Sequence, residues 1–230
     1  MRKYRITGLI FTVLLLVTIL AGIALLGKPG TPLLYLETIK NGIAETGADN
    51  MVSAIYLDFR VFDTLLEALL LMTAVIGVSQ FARLSGKEKV WEIANRGEAE
   101  KEQQPSRIMA ASLSTVYPLI AVLGIYIIIS GADSPGGGFQ GGALLSGIFI
   151  SVHFSTGKKL ADIHLLETLE KIAYLLIGAA VSVFLLSHGD LSAGWHRGYF
   201  LLMNLLIGLK VFSGLTIIYF LFRSIPGRSL

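Results

Sequence analysis

The sequence SGADSPGGGFQGG, from Ser130 to Gly142, separates two strongly apolar runs of the chain. Five of the seven residues from 136 to 142 are glycine, which adopts backbone geometries that a side chain forbids. Pro135 fixes one backbone angle immediately before them. Because apolar runs lie on both sides, we predict a sharp turn at a membrane surface. Irregular backbone within the membrane is tolerated only where it is buried in protein or beside water, so we expect other protein to enclose this turn.

The composition is typical of an integral membrane protein. Hydrophobic residues make up 53% of the 230 residues, charged residues make up 15%, and the mean hydropathy is +0.69. The chain has no cysteine, which excludes disulfides, thiol catalysis, iron–sulfur ligation and cysteine-based zinc sites within it. The four histidines show no metal-ligand spacing. We therefore expect no catalytic, cofactor or metal site in this chain, and we attribute its net charge of +3 to cytoplasmic flanks and not to nucleic-acid binding.

Six apolar runs come close to the length of about 20 residues that a membrane-spanning helix needs. They are residues 6–26, 62–82, 108–130, 140–156, 167–187 and 199–222. The first run is longer than the apolar part of a signal peptide and lacks a cleavage site, so we expect a retained helix. The flanks on one side of these runs hold thirteen lysines and arginines, and those on the other side hold four. Because positive charge marks the cytoplasmic side, we predict an all-α membrane bundle of six helices with both termini in the cytoplasm.

A polar segment, residues 83–107, divides the chain. Apolar residues near its start have helical spacing, and a wholly polar run follows them. We predict a two-helix part over 1–82, a cytoplasmic amphipathic helix and linker over 83–107, and a four-helix part over 108–230.

A second motif, DFRVFDTLLE from Asp58 to Glu67, leads into the second apolar run. Acidic residues and threonine favour the start of a helix, because they interact with its dipole and accept bonds from free backbone N–H groups. Asp63 and Glu67 are four residues apart and share one helix face. Arg60 is the obvious counter-charge, and we expect Glu67 about one turn inside the membrane.

Both motifs resemble signature sequences of antiporter subunits. The glycine motif resembles the loop of the B-type subunit of Mrp-type Na+/H+ antiporters. DFRVFDTLLE resembles a stretch in the C-terminal part of the A-type subunit of Mrp antiporters and in the small E-type subunit of membrane-bound hydrogenases, although that pattern often has glycine at Val61 and Leu66. The motif positions to which we assign a structural role are Asp58, Arg60, Pro135, Gly136, Gly137, Gly138, Phe139 and Gly142. The resemblance covers residues 45–82 and 108–222, and it implies a fusion of a part like the hydrogenase E-type subunit with a part like the antiporter B-type subunit.

The resemblance implies a subunit of a multi-subunit Na+/H+ antiporter-type module in a prokaryotic plasma membrane. The fusion favours a ferredoxin-linked respiratory complex, either a membrane-bound hydrogenase or a sulfur reductase, in which this chain scaffolds or lines the cation path. A free-standing Mrp antiporter and a purely structural membrane adaptor are the alternatives. The implied partners are other antiporter-type membrane subunits and hydrogenase-like peripheral subunits. Iron–sulfur clusters would lie in those partners, and Na+ would be the transported cation.

Ionisable residues within the predicted helices are candidates for the ion path, because a charge at the bilayer centre costs about 2.5–3.5 kcal/mol on insertion scales. The candidates are Asp63, Glu67, Asp133, His153, Glu170 and Lys210. Lys210 lies in the middle of the last run and needs an acid or a carbonyl as its partner. A proton relay and a structural ion pair both remain open for it. Glu170 has no obvious local partner.

The glycine motif also has two interpretations. Gly138, Gly142 and Ser146 recur every four residues, and such ridges of small residues let membrane helices approach closely. Close packing is therefore one interpretation. The other is an ion-lining role for carbonyls that the turn leaves free, together with Asp133.

Overall fold

The structure is a computed structural model that describes residues 50–84, 107–156, 161–186 and 193–223, all within one compact unit that spans 42–230. The predicted first span and almost all of the predicted surface helix and linker at 83–107 lie outside these residues. Every regular element in the described part is helical. In chain order they are α1 (Met51–Ala54), a π-helical turn (Ile55–Phe59), α2 (Val61–Leu84), α3 (Arg107–Ile129), a 3-10 turn (Ser130–Ala132), α4 (Gly138–Thr156), α5 (Ile163–Leu186) and α6 (Ala193–Arg223).

Four of these helices are long and apolar enough to cross a membrane. The stretches are Val61–Ala82, Thr115–Ala132, Ile163–Leu186 and Trp195–Arg223, in α2, α3 with the turn after it, α5 and α6. The protein is therefore a multi-pass membrane protein. Helix α4, the shortest of the predicted spans, has 19 residues and does not join this set, since glycines, serines, Gln140 and His153 interrupt its apolar sequence. The count of six spans and the orientation of the termini stay predictions.

Helix α6 is the centre of the described bundle. Of its apolar stretch, 61% is buried, against 22 to 28% for α2, α3 and α5. Helices α2 and α4 run parallel to α6, whereas α5 runs antiparallel to α6 and α3 runs antiparallel to α4. Against α6, α2 places Leu71 beside Gly214, and the π-helical turn that leads into α2 places Leu57 beside Tyr199. The pairs between α4 and α6 are Gly138 with Asn204 and His153 with Phe220, and those between α5 and α6 are Glu170 with Lys210 and Phe184 with His196. The pairs between α3 and α4 are Ile128 with Gly141 and Tyr117 with Ser155. Consecutive helices thus alternate in direction, as a chain that crosses a membrane repeatedly requires.

Two apolar clusters form the core, one toward each end of the bundle. The cluster at the loop end, the end that carries residues 130–138, includes Leu57, Phe184, Tyr199, Phe200 and Met203. The cluster toward the opposite end includes Ile163, Leu166, Ile217, Phe220 and Leu221. Within a membrane these side chains exchange contacts with lipid tails for contacts with one another, so close van der Waals packing, and not removal from water, holds the helices together. This packing fixes the relative depth of the polar residues on α5 and α6.

Candidate functional site

The glycine motif turns the chain from α3 into α4 at the loop end. Gly137 has a φ of 145°, a conformation that residues with a side chain rarely adopt. A Cβ atom at Gly137 would collide with the hydroxyl of Tyr56, and one at Gly138 would collide with the backbone oxygen of Asn204. The turn and the start of α4 therefore approach their neighbours too closely for any other residue.

The predicted ridge of small residues on α4 packs against α6. A Cβ atom at Gly142 would lie 2.5 Å from the backbone oxygen of Gly208, and the hydroxyl of Ser146 lies 3.1 Å from that of Thr216. These contacts agree with the packing interpretation of the ridge. Gly147, one step round the helix, is exposed and has open space where a Cβ atom would stand.

The backbone carbonyls of the turn are hydrogen-bonded to the segment that precedes α2. The side-chain amide of Asn50 donates to the oxygens of Gly131 and Ser134 at 2.8 and 2.7 Å. The backbone N–H of Asn50 donates to the oxygen of Ala132 at 3.0 Å, and the hydroxyl of Ser53 also donates to Gly131. The carbonyls of Gly131, Ala132 and Ser134 are thus occupied by hydrogen bonds, and residues 50–53, which precede the second motif, are tied to the glycine motif.

Asn204 on α6 is the second anchor of this turn. Its side-chain oxygen accepts from the backbone N–H of Gly138 at 2.8 Å and from the hydroxyl of Tyr56 at 2.7 Å. Burial raises the pKa of Tyr56, only partly offset by its bonds with Ser53 and Asn204, so this hydroxyl stays protonated and donates. The amide nitrogen of Asn204 is buried and finds no acceptor among the described residues. Sequence reasoning missed Asn204, although an amide within an apolar run was a usable signal.

Three of the acids lie near the loop end with their own local environments. Asp133 pairs with Arg197 at 2.6 Å, and both side chains are exposed, at 39% and 65%. Asp63 pairs with Arg60, also at the surface, as the sequence suggested. Exposed ion pairs of this kind contribute about 0–1 kcal/mol. Asp58 is half-buried, and its burial raises its pKa while His196 partly lowers it.

Lys210 and Glu170 form an ion pair in the interior of the bundle. The ammonium of Lys210 on α6 donates to the carboxylate of Glu170 on α5, and each side chain is only 1% exposed. Tyr174, one turn after Glu170, places its ring centroid 5.0 Å from the ammonium nitrogen. The sequence predicted an acid or a carbonyl as the partner of Lys210, and the structure supplies an acid. The partner is Glu170, for which the sequence offered none nearby.

The other two candidates lie away from this pair. His153 is buried near the opposite end, with its ring 4.7 Å from that of Phe220. Phe220 follows Lys210 by ten residues, which is about 15 Å along a helix. Glu67 is exposed on α2, and Arg60, which directly precedes α2, is paired with Asp63. The structure therefore joins two of the six candidates, Lys210 and Glu170, and whether any of the six carries ions stays a prediction.

Comparison with known protein families places residues 108–217 in the family described as a domain related to the MnhB subunit of Na+/H+ antiporter. The chain is 30% identical over 202 residues to the uncharacterized protein MJ1307 of Methanocaldococcus jannaschii, covering 75% of this chain and 76% of that protein. It is 28% identical over 205 residues to a probable K(+)/H(+) antiporter A/B subunit of Rhizobium meliloti, covering 76% of this chain but only 20% of that protein.

Two solved structures share the fold. A chain of the membrane-bound sulfane sulfur reductase, an archaeal respiratory membrane complex, matches with a TM-score of 0.67 and 22% identity over 96% of this chain and 98% of that one. A chain of the Mrp complex from Dietzia sp. matches with a TM-score of 0.58 and 17% identity over 95% of this chain and 26% of that one. At these identities the likeness is one of fold.

Proposed function

The chain belongs to the family of membrane proteins that carry the domain related to the MnhB subunit of Na+/H+ antiporters, and we propose that it is one membrane subunit of a multi-subunit Na+/H+ antiporter-type module. A ferredoxin-linked respiratory complex of the sulfur-reductase kind is the favoured setting. The near end-to-end match with a chain of the sulfane sulfur reductase supports it, since the matching Mrp chain is much longer than this one. The other subunits would carry any iron–sulfur clusters, because this chain has no cysteine.

The fusion of a hydrogenase-like N-terminal part with an antiporter-like C-terminal part is included in this proposal. The bonds from Asn50 and Ser53 to the glycine motif support it, because they join the segment just before the second motif to the domain at 108–217. The alternating directions of α2 to α6 are compatible with six spans and cytoplasmic termini. In that arrangement the loop end faces outward, and the opposite end faces the cytoplasm with its lysines and arginines.

The buried Lys210–Glu170 pair is the observation that carries a role in exchange. A charge inside a membrane helix is expensive and tends to mark an ion or proton path. One carboxylate holds one cation at a time. While Lys210 is protonated, its ammonium occupies Glu170; after the ammonium passes its proton to water, Glu170 is free to bind Na+. Alternating occupation of Glu170 would therefore couple the movement of Na+ to that of protons.

The decisive experiment replaces both members of the pair, as Lys210→Met together with Glu170→Gln. The double variant leaves no unpaired buried charge, so the assembled complex should persist. We expect Na+/H+ exchange in membrane vesicles to fall by about tenfold or more, as for the loss of a proton-transfer group. The matched control is Glu167→Gln with Lys171→Met, which removes a more exposed pair on the same helix, 4.0 Å apart.

A structural adaptor is the second candidate function. The burial of the Lys210–Glu170 pair favours this function, since both side chains are 1% exposed and the ring of Tyr174 lies beside the ammonium. Unchanged exchange in an assembled complex that carries the double variant would support the adaptor and refute conduction through the pair. Loss of exchange in the control as well would show a general defect.

A further inference from the structure

Glu67 lies within the apolar stretch of α2, Val61–Ala82, at about the level of the Lys210–Glu170 pair. Leu71 of α2 contacts Gly214 of α6, and the two helices run parallel. Counting back four residues along each helix brings Glu67 to the level of residue 210. Glu67 therefore stands near the level of Lys210 in the described bundle.

The carboxylate of Glu67 nevertheless faces away from the bundle. The residue is exposed, and none of the described residues forms a hydrogen bond or an ion pair with it. The cations nearest in sequence and depth, Arg60 and Lys210, are already paired with Asp63 and Glu170. A carboxylate at this depth requires a partner or water, so the described bundle does not complete the environment of Glu67.

The residues around Glu67 are those of a helix contact. Leu70 lies one turn further along the same face and is 71% exposed. Ala74 and Gly77 continue the exposed face, and nothing lies within 4 Å of the place where a Cβ atom of Gly77 would stand. Small residues at this spacing allow a second helix to approach closely. The carboxylate of Glu67 therefore adjoins an exposed apolar face of α2 that a second helix could cover.

Three other occupants fit this face poorly. Lipid tails would leave the carboxylate without a counter-charge. A second copy packed through the same face would bring two Glu67 carboxylates together, and like charges repel. The chain's own first apolar run, residues 6–26, contains no charged residue that could meet Glu67.

We propose that the Glu67 face of α2, formed by Glu67, Leu70, Ala74 and Gly77, docks against a membrane helix of another protein that places a lysine or arginine beside Glu67. The proposal rests on the proposed function, because it names a contact of the subunit within its complex. It assigns Glu67 to assembly, whereas the Lys210–Glu170 pair serves exchange.

The test places a photo-crosslinking amino acid, p-benzoylphenylalanine, at position 70 of the full chain in its native membrane. We expect a covalent product with another membrane protein, joined to a spanning segment that has a lysine or arginine within one helical turn of the cross-link. The same product should form at the same yield in the Lys210→Met/Glu170→Gln background. The cross-link yield therefore reports docking alone, and the exchange measurement in membrane vesicles reports the role of the Lys210–Glu170 pair.

Charge variants complete the test. Glu67→Gln and Glu67→Lys should reduce the cross-linked product and the amount of co-purified partner, by about tenfold for the charge reversal. Asp63→Asn is the matched control, because Asp63 has its own partner in Arg60 and should leave both quantities unchanged. The proposal is overturned by cross-links to lipid alone, to residues 6–26, to a second copy, or to a segment that lacks a basic residue at that point. Equal yields in Glu67→Lys and the unaltered chain would also refute it.

Discussion

Lys210 and Glu170 illustrate how two residues that are costly alone become tolerable together. Each ion must leave water to enter the bundle, and the mutual attraction offsets that loss only while both partners are present. Tyr174 adds its ring face to the environment of the ammonium. The two charged residues lie on different helices and are 40 residues apart in the sequence. Their pairing therefore reports on how α5 and α6 are aligned.

Single substitutions in this pair should be more harmful to stability than the double substitution. Lys210→Met or Glu170→Gln alone leaves one buried charge without its partner, and we expect a loss of about 3–5 kcal/mol. The combination Lys210→Met/Glu170→Gln should recover most of that loss. Thermal unfolding of the purified complex, followed by circular dichroism, measures the difference. A double variant as unstable as the sum of the two singles would contradict the pairing.

The stability of the loop end should depend on pH through Asp58. Burial raises the pKa of Asp58 above its ordinary value of 3.8, and His196 lowers it only in part. A carboxyl whose pKa is raised on folding favours the folded state below 3.8, and this contribution is lost as the pH rises through the higher pKa of the folded state. Asp58→Asn should therefore raise the melting temperature at about pH 7, by an amount that shrinks toward about pH 4.

The partner of Asp58 provides the control for that measurement. His196→Gln removes the influence that lowers the pKa of Asp58, so the pH-dependent loss should move to higher pH. A difference between Asp58→Asn and the unaltered chain that stays constant from about pH 4 to about pH 7 would show that Asp58 does not titrate in this range.

Among the elements, α4 carries the clearest contrast between packed and open positions. Gly142 faces α6 so closely that a Cβ atom would overlap the backbone of Gly208, whereas the same atom at Gly147 would meet nothing. We expect Gly142→Ala to destabilise the protein by about 1–3 kcal/mol through overpacking. Gly147→Ala should be neutral within this chain or stabilise the helix by about 0.5–1 kcal/mol. Urea or thermal unfolding of the two variants measures this, and equal effects would contradict the close approach of α4 to α6.

The helices were predictable from apolar runs, and α2, α3 and α4 begin within two residues of the predicted starts, but α5 and α6 begin four and six residues earlier. Helix α5 begins at Ile163, four residues before the predicted run, because Asp162 accepts a bond from the N–H of His164 at 3.1 Å and so caps a polar first turn. Helix α6 begins at Ala193, six residues early, through a stretch that includes Trp195 and His196. A hydropathy pattern identifies the apolar part of a helix, so it does not include a first turn made of polar or aromatic residues.

The candidate site was predictable only as separate residues. The sequence indicated that Lys210 needs an acid or a carbonyl as its partner, because a lone charge in a membrane helix is unfavourable. The choice of Glu170 depends on the alignment of two helices. Asn204 and Asn50, which bind the glycine motif, were missed because their roles arise from contacts over 66 and 81 residues of sequence. Sequence patterns give the chemistry of a residue; long-range packing gives its partner.

At the scale of the whole molecule, the described bundle pairs the charges in its interior but leaves one exposed charge on α2 without a partner among the described residues. At the loop end, Asn50 and Asn204 bond to the glycine motif, and the side chains of the central ion pair are each 1% exposed. Glu67, in contrast, is exposed on the outside of α2, within its apolar stretch Val61–Ala82. In a protein surrounded only by lipid, this carboxylate would carry the cost of an unpaired charge in the membrane. This asymmetry is the reason for regarding the chain as one part of a larger membrane assembly.

Reconstitution tests that conclusion most directly. The chain purified alone and the complex purified through a tag on the chain are each placed in liposomes, and Na+-driven proton movement is followed with a pH-sensitive dye. We predict exchange by the liposomes that contain the complex and none above background by those that contain the single chain. Robust Na+/H+ exchange by the single chain would contradict the account, because it would show an independent carrier.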